Sequence, residues 1–188
     1  MRHTLTAALF AVLVPAAALA QTAATKPPVP HDQVLSANPF GVIVKWVNAE
    51  YERKIGPATT LGVSASHFAD LDQSNAALLL RWYPQQSALD GFYLGARAGA
   101  HRFKTRTYDF YPTYSSSTIN QPRPTYHEQT SVLPGVGVEI GYNWLLGPRQ
   151  NVSVGVGFGL TRVFGGADLY DVPSVLPALR LVNVGIAF

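Results

Sequence analysis

Residues 132–164 restrict the possible folds more than any other stretch, because large apolar residues alternate with small or polar ones along two long arms. One face of the first arm carries Val136, Val138, Ile140, Tyr142 and Trp144. The opposite face carries only glycines, Glu139 and Asn143, and residues 152–161 repeat the alternation after a short turn. A period of two predicts β-strands, whereas a helix would scatter the apolar residues and lose about 1 kcal/mol at each interior glycine.

The polarity of these arms is the reverse of what a soluble sandwich needs. The small and polar face leaves no large residues to fill a core, so the apolar face must be the outer one. Tyr142 and Trp144 end the apolar row beside the turn, where a membrane barrel carries its aromatic girdle. We therefore predict an all-β fold, an antiparallel up-and-down transmembrane β-barrel. The alternative is a soluble antiparallel barrel or sandwich with one apolar face.

The N-terminal segment has the composition of a secretory signal peptide. Arg2 precedes an apolar run over residues 5–14, and Ala18-Leu19-Ala20 supplies the small residues of a cleavage site. We exclude residues 1–20 from the fold, expect residues 21–38 to be a flexible proline-containing leader, and assign residues 39–188 to the barrel. Export combined with a membrane barrel predicts a location in the bacterial outer membrane.

Composition excludes several other classes of protein. The chain has no cysteine, which rules out disulfides, thiolate chemistry and a lipoprotein anchor. No run of about eighteen apolar residues follows the signal, which rules out helical membrane spans. The chain has 14 basic residues, and removal of the signal peptide takes away Arg2. The remaining 13 basic and 11 acidic residues give a net charge of +2, which does not indicate nucleic-acid binding. We predict no cofactor and no metal site.

The alternation identifies seven strands directly. They are residues 39–53, 59–68, 74–83, 91–103, the two arms of 132–164, and 175–188. Bacterial barrels made from one chain have an even number of strands, so we expect eight. The alternation changes phase near Trp46, and we expect the region from Val34 to Arg53 to divide there into two strands.

The last predicted strand closes on Phe188. This terminal aromatic residue resembles the C-terminal signal that the assembly machinery reads in many bacterial outer-membrane proteins. With Phe188 on the periplasmic side, the short turns at 54–57, 84–90 and 147–150 are periplasmic. Residues 105–128 and 165–173 then form extracellular loops, in keeping with the short inner turns and long outer loops of membrane barrels.

Four further motifs carry a resemblance to a known family. They are Glu50-Tyr51-Glu52-Arg53, Arg81-Trp82-Tyr83, Gly91-Phe92-Tyr93-Leu94-Gly95, and Gly135-Val136-Gly137 with Gly141-Tyr142-Asn143-Trp144-Leu145-Leu146-Gly147. Through them the chain resembles a family of small bacterial outer-membrane β-barrel proteins of uncharacterised function, with the eight-stranded architecture of OmpA and OmpX. The resemblance covers most of residues 38–188 and is weakest over 104–128. It implies a fold but no reaction, so it transfers no catalytic residue.

Alternation also predicts which charged side chains point into the lumen. They are Lys45, Glu50, Glu52, Arg81, Arg97 and Glu139. An eight-stranded barrel has room only for side chains inside, so these three cations and three carboxylates should pair and plug the lumen. A proton relay or a carboxylate-pair active site is the functional alternative.

An enzyme that trims or acylates lipid A is the alternative function, and a narrow channel is a further one. The cluster formed by Ser66, His67 and Asp70 is the best candidate for a catalytic triad. Neighbouring residues of a strand face opposite sides, however, so Ser66 and His67 cannot act as nucleophile and base. We expect His101 in the lumen and His127 in a loop, and we predict no catalytic residue.

The loop predicted at residues 105–128 holds five aromatic residues, which are Tyr108, Phe110, Tyr111, Tyr114 and Tyr126. They could stack on glycans, pack on a partner, or fold back over the barrel mouth as a lid. Four basic residues near the outer rim suggest contact with lipopolysaccharide phosphates; they are Arg102, Lys104, Arg106 and Arg123. The predicted partners are therefore outer-membrane lipid and lipopolysaccharide, the assembly machinery, and a possible surface ligand of this loop, with no nucleic acid.

Overall fold

The computed structural model describes residues 29–109, 125–165 and 174–188 of the chain. They contain eight strands, which are β1 (Gln33–Ala37), β2 (Trp46–Gly56), β3 (Thr59–Phe68), β4 (Gln73–Trp82), β5 (Gly91–Asp109), β6 (Thr125–Leu146), β7 (Val152–Val163) and β8 (Val175–Ala187). Each strand pairs antiparallel with the next, and β8 pairs with β1, so the sheet is a closed barrel. This confirms the predicted all-β, eight-stranded up-and-down architecture. Within the described residues no helix is long and apolar enough to cross a bilayer.

The eighth strand comes from the segment that the sequence assigns to the leader. β1 occupies Gln33–Ala37 and pairs with both β2 and β8, so the prediction that residues 21–38 lie wholly outside the wall is wrong. The predicted division of the region from Val34 to Arg53 is correct. A 3-10 helix, Gly41–Val44, separates β1 from β2 where a continuous strand from residue 39 was expected.

Asn38 ends β1 by offering its side chain to the following backbone. Its Oδ1 accepts hydrogen bonds from the backbone N–H groups of Phe40, at 2.9 Å, and Gly41, at 3.1 Å. These bonds replace the ladder and start the 3-10 turn. The turn closes on Lys45 in a left-handed conformation, with φ 54°, and the change of phase near Trp46 is the sequence trace of this turn.

Residues alternate between the two faces of the wall as the sequence predicts. On the outer face Leu78, Val136 and Val138 expose 59%, 51% and 66% of their surface. On the inner face Leu79 and Tyr93 each expose only 1%, beside glycines and charged residues. The large apolar side chains therefore lie mostly outside, and the charged and small side chains mostly inside.

One hairpin of the barrel is much taller than the rest of the wall. β5 pairs with β4 no further than Arg102, and β6 pairs with β7 no further than Gly135. Beyond these points residues 103–109 pair only with residues 125–131, and we call this ladder the projecting arm. Seven residues at about 3.3 Å each extend it roughly 23 Å past the rim. We call the end that carries the arm the upper end of the barrel.

The projecting arm corrects the prediction of one long loop over 105–128. Its strands contain threonines and tyrosines, which favour extended structure and override the loop character of the polar residues around them. Tyr108 and Tyr126 are directly opposite each other in the register. Phe110, Tyr111, Tyr114 and Arg123 lie outside the described residues.

The wall has a gap on the side of the short strand β1. β1 reaches only to Ala37, which lies opposite Ala49 of β2 and Val184 of β8. Above this level β8 continues up to Val175 and β2 up to Trp46, and in the described chain no strand lies between them. We call this gap the lateral opening.

An extra residue in β8 changes which of its side chains point inward. Asn183 lies opposite Gly155, but Arg180 lies opposite Gly157, so β8 uses three steps where β7 uses two. Such a β-bulge reverses the facing of every residue beyond it. Above the bulge Arg180 is buried while Leu179 and Leu181 are exposed.

Candidate functional site

Arg81 is the centre of an ion network that crosses the lower lumen. β4 directs its side chain inward, where only 1% of it is exposed. Its Nη1 and Nη2 atoms lie 2.7 and 2.9 Å from the two carboxylate oxygens of Glu50. Nη1 also lies 2.6 Å from Glu52 Oε2, and Nε lies 2.6 Å from Glu139 Oε1. One guanidinium therefore joins carboxylates from β2 and β6.

Arg180 extends the network from the opposite wall. Its Nη2 atom lies 3.1 Å from Glu50 Oε1, and its Nη1 donates to Asn143 Oδ1. Asn143 Nδ2 donates to the hydroxyl of Tyr83 at 2.8 Å, and that hydroxyl donates to Glu52 Oε1 at 2.7 Å. The chain of contacts thus returns to the Arg81 cluster and closes across the lumen.

Arg97 is the least tightly held cation of this network. Its Nη1 atom is 3.8 Å from Glu139 Oε2, beyond hydrogen-bond distance, whereas Arg81 binds the other oxygen of that carboxylate at 2.6 Å. Its Nε atom is buried and has no hydrogen-bond partner among the described residues. Arg97 therefore keeps donors available toward the space above it.

Glycines on the inner face leave the volume that these large side chains occupy. A Cβ atom at Gly95 would lie 2.7 Å from Glu139 Cγ, and one at Gly157 would lie 2.6 Å from the hydroxyl of Tyr93. Tyr93 in turn supports the network, since the Arg81 guanidinium carbon is 4.5 Å from the centre of its ring. The small inner face seen in the sequence is thus the counterpart of a crowded polar lumen.

The structure brings five of the six residues predicted for the lumen into one network. They are Glu50, Glu52, Arg81, Arg97 and Glu139. Lys45 does not belong to it, because the turn before β2 carries this residue out of the ladder to the upper rim. There its Nζ atom lies 2.7 Å from Asp70 Oδ1, and this hydrogen bond raises the pKa of the lysine.

Arg180 is the network residue that alternation missed. Val182, Val184 and Ile186 share the face that the sequence predicts to be the outer one, and a strict period of two puts Arg180 on that face as well. The bulge in β8 turns Arg180 inward instead. No composition signal marks the bulge. With Arg180 in place of Lys45, the network still has three cations and three carboxylates.

A cavity of about 540 Å³ lies above the network. Arg97 and Glu50 line its floor. Other polar lining residues are Asn48, Ser64, Ser66, Asn75, His101, Thr161 and Asn183. Apolar side chains line its walls, among them Trp46, Phe68, Phe103 and Leu176. The upper lumen is therefore open space with a charged floor.

The candidate triad does not assemble. Ser66 faces inward and accepts a hydrogen bond from Asn75 Nδ2 at 2.8 Å. His67 faces outward, and its Nδ1 atom is 3.0 Å from Ser74 Oγ, while Asp70 pairs with Lys45. His101 is buried in the lumen as expected, and His127 lies on the projecting arm. The part of the chain that the structure describes contains no cluster of residues that could hold a metal ion.

Charged residues tie the projecting arm to the turn between β3 and β4. Asp72 Oδ1 lies 3.0 Å from Arg102 Nη1, and Asp72 Oδ2 lies 3.4 Å from Lys104 Nζ. Lys104 also lies 2.8 Å from Glu128 Oε2, across the arm. The hydrogen bond from Arg102 lowers the pKa of the Asp72 carboxyl.

Phe188 takes part in closing the barrel through its backbone. Its N–H donates to the carbonyl of Gln33 at 2.9 Å, and its carbonyl accepts from the N–H groups of Asp32, at 3.2 Å, and Gln33, at 3.0 Å. Its side chain is half exposed on the outer face. The role of this residue as an assembly signal remains a prediction.

Comparison with known proteins relates this geometry to other barrels. The N-terminal β-barrel domain of Pseudomonas aeruginosa OprF aligns over 84% of this chain and 98% of its own, with 12% identity and a TM-score of 0.48. The Yersinia pestis outer membrane protein Ail aligns over 84% of this chain and 99% of its own, with 11% identity and a TM-score of 0.41. No curated protein matches the sequence. The profile of one family matches residues 9–172, and the chain therefore belongs to the family described as "Protein of unknown function (DUF3575)".

Proposed function

We propose that this protein is an integral barrel of the bacterial outer membrane with a structural or surface-interaction role, a plugged lumen and no catalytic activity. The single observation that carries the proposal is the polarity of the wall. Exposed apolar residues cover its outer face, whereas charged pairs and glycines fill its lower lumen. A barrel in water would gain nothing from this arrangement, because it would leave its apolar surface exposed and bury its charges.

The lower lumen supports the absence of an open pore. Arg81, Glu52, Tyr83, Tyr93 and Asn143 are all almost fully buried and joined by hydrogen bonds or ring contacts across the interior. An eight-stranded barrel has little more interior volume than such side chains need. Ions entering the upper cavity would meet a floor of paired, hydrogen-bonded charges rather than a channel.

The projecting arm supports a role at the cell surface. With Phe188 on the periplasmic side, the arm stands outside the cell, together with the turn of Asp72. The aromatic residues 108–126 and the basic rim residues are the parts of the chain best suited to contact a partner or lipopolysaccharide. The geometry supports no reaction there, because the candidate nucleophile, base and acid face different sides.

Two measurements on the full-length protein test the proposal. In fractionated cells it should sediment with the outer membrane and resist extraction by carbonate, as an integral protein does. In planar bilayers the purified barrel should give no stable conductance steps. Recovery in the soluble periplasm would contradict the membrane location, and reproducible steps would show that the lumen is a channel.

A hydrolase that acts on lipid is the second candidate, and one observation favours it. His67 and Ser74 form a hydrogen-bonded pair at 3.0 Å on the outer face, near the upper rim. In the described chain no hydrogen bond or ion pair joins His67 to a carboxylate that would orient it. Mass spectrometry of lipid A from cells that express the parent or Ser74→Ala separates the candidates. Loss of an acyl chain with the parent alone would establish the hydrolase.

A further inference from the structure

The cavity above the network reaches the outside of the barrel through the lateral opening. Residues from both faces of β8 line it: Leu176 and Ala178 point inward, whereas Leu179 and Leu181 point outward and are exposed. Ala49, on the outer face of β2, also lines it. The cavity therefore continues around the unpaired edge of β8 to the outer wall.

The depth of the opening places it in the lipid if the protein spans the membrane as proposed. β7 and β8 have 12 and 13 residues, little more than the roughly 9–11 that a tilted membrane strand needs. The opening runs along the upper part of β8 and so lies at the depth of the outer leaflet. Unpaired backbone at membrane depth is tolerated only where it is buried in protein or lines a water-filled cavity, and the polar lining of the upper lumen provides for such water beside the edge of β8.

The walls of the cavity suit an acyl chain. Trp46, Phe68, Phe103 and Leu176 present apolar surface, and the outer margin continues into Leu179. The volume of about 540 Å³ lies within the range of roughly 300–1,000 Å³ found for sites that enclose small ligands. At the foot of the opening Asn48 Nδ2 lies 3.4 Å from Asn183 Oδ1, so an apolar chain would enter above this hydrogen bond, beside Leu179.

The floor of the cavity suits a carboxylate. Arg97 offers an Nε–H that has no hydrogen-bond partner in the parts of the chain that the structure describes, and its Nη1 is beyond hydrogen-bond distance of Glu139. Ser64 Oγ and Thr161 Oγ1 also line the cavity without partners among the described residues, and Thr161 is only 2% exposed. A guanidinium binds the two oxygens of a carboxylate through paired hydrogen bonds, and the hydroxyls can donate to the same group.

We infer that this cavity binds one long-chain fatty acid, which enters from the outer leaflet through the lateral opening and places its carboxylate against Arg97. The inference extends the proposed function, because the route of entry requires that the barrel lie in a membrane. Arg81 does not compete for this ligand, since three carboxylates already occupy its donors. The site gives the barrel the chemistry of a fatty-acid receptor or reservoir.

Tryptophan quenching by a brominated fatty acid tests the site directly. Trp46 lines the cavity, whereas Trp82 and Trp144 lie on the outer face at the lower end of the wall. In a Trp82→Phe/Trp144→Phe background, the barrel is placed in phosphatidylcholine nanodiscs and titrated with dibromostearate. We expect saturable quenching of Trp46 with one fatty acid per barrel. The brominated fatty alcohol, which lacks the carboxylate, should quench only in proportion to its amount in the bilayer.

Two variants locate the carboxylate and the chain separately. Arg97→Gln should weaken the saturable quenching about tenfold or more, because it removes a charge-assisted pair. Ala178→Phe keeps Arg97 and adds no second tryptophan, but it fills the cavity beside the opening, and it should abolish saturation. Each variant is first shown to be folded by its heat-modifiable electrophoretic mobility. Arg162→Gln, on the outer face of β7, is the matched control and should bind as the parent does.

The possible failures are distinguishable. If the barrel does not enter nanodiscs, the proposed function is wrong. If it enters but quenching is linear, equals that of the alcohol, or is unchanged in both Arg97→Gln and Ala178→Phe, the fatty-acid site is overturned and the cavity is filled by water or bulk lipid.

Discussion

Arg81 is the single residue on which the lower lumen most depends, because it is the shared partner of Glu50, Glu52 and Glu139. Arg81→Gln would leave buried carboxylates without their main cation. Breaking such a buried pair from one side costs about 3–5 kcal/mol. We expect urea unfolding in lipid vesicles, followed by tryptophan fluorescence, to show a loss of this size.

Arg162→Gln is the control for that measurement. Arg162 lies on the exposed face of β7, where its guanidinium is 5.9 Å from the ring of Phe164. Its removal should change the free energy of unfolding by no more than about 0.5 kcal/mol. Equal losses for the two variants would show that the lumen network does not stabilise the barrel.

Asp72 should make the base of the projecting arm sensitive to acid. Its pKa is lowered in the folded protein, chiefly by the hydrogen bond from Arg102. The contact is therefore fully present above the ordinary pKa of an aspartate, about 3.9, and is lost as the pH falls through the lowered value. Carboxyl NMR should give a midpoint for Asp72 below the ordinary value, and Arg102→Gln should raise it.

Asp70 provides a control for Asp72 within the same turn, since it pairs with Lys45 and not with the arm. At neutral pH Asp72→Asn should speed hydrogen exchange near Lys104, whereas Asp70→Asn should not. Faster exchange in both variants would mean that the turn as a whole, and not the Asp72 contacts, holds the arm.

At the residue scale, alternation is sufficient to predict which side chains point into the lumen wherever a strand is regular. Glu50, Glu52, Arg81, Arg97 and Glu139 all lie inward for that reason. Lys45 and Arg180 could not be placed in this way, because a left-handed turn and a bulge each shift the period by one residue. The turn at Lys45 shows in the sequence only as the change of phase near Trp46, and the bulge in β8 has no glycine or proline at the point of the shift to mark it.

At the element scale, β1 and the projecting arm were the hardest parts to predict. β1 has only five residues, too few to show a period of two against the prolines around it. The composition of the arm predicts a loop, because serines, prolines and tyrosines dominate the region, although its paired ends are rich in threonine. In both cases pairing with a neighbouring strand, and not local composition, determines the structure.

The arm also allows a direct test of orientation. An epitope tag inserted after Asn120, between the two strands of the arm, should bind antibody on intact cells. The same tag between Pro148 and Arg149, in the turn that joins β6 to β7, should bind only after permeabilisation. The opposite pattern would reverse the topology, and labelling of both sites on intact cells would contradict a membrane-spanning wall.

For the whole molecule, the loss of stability caused by an arginine on the outer face should depend on whether the substituted residue lies within the membrane. Ala96 lies on the outer face near the middle of the part of β5 that belongs to the barrel wall, whereas Thr130 lies on the projecting arm. Ala96→Arg should destabilise the inserted barrel by about 2–4 kcal/mol, and Thr130→Arg by about 0–1 kcal/mol. Urea unfolding in vesicles measures both, and equal costs would contradict insertion at this level.

The closing seam between β1 and β8 has a consequence for the order of events during folding. Only four residue pairs form the seam, with the backbone bonds of Phe188 beside them, and they join segments from opposite ends of the chain. Hairpins such as β5–β6 need only nearby residues and can form early, whereas the seam must wait for the longest loop to close. Until then β1 and β8 are the free margins of an open sheet, and each can pair with a strand of another molecule. Closure of the seam is thus a late, slow step during which the protein is open to misassembly or to capture by a helper that shields those margins.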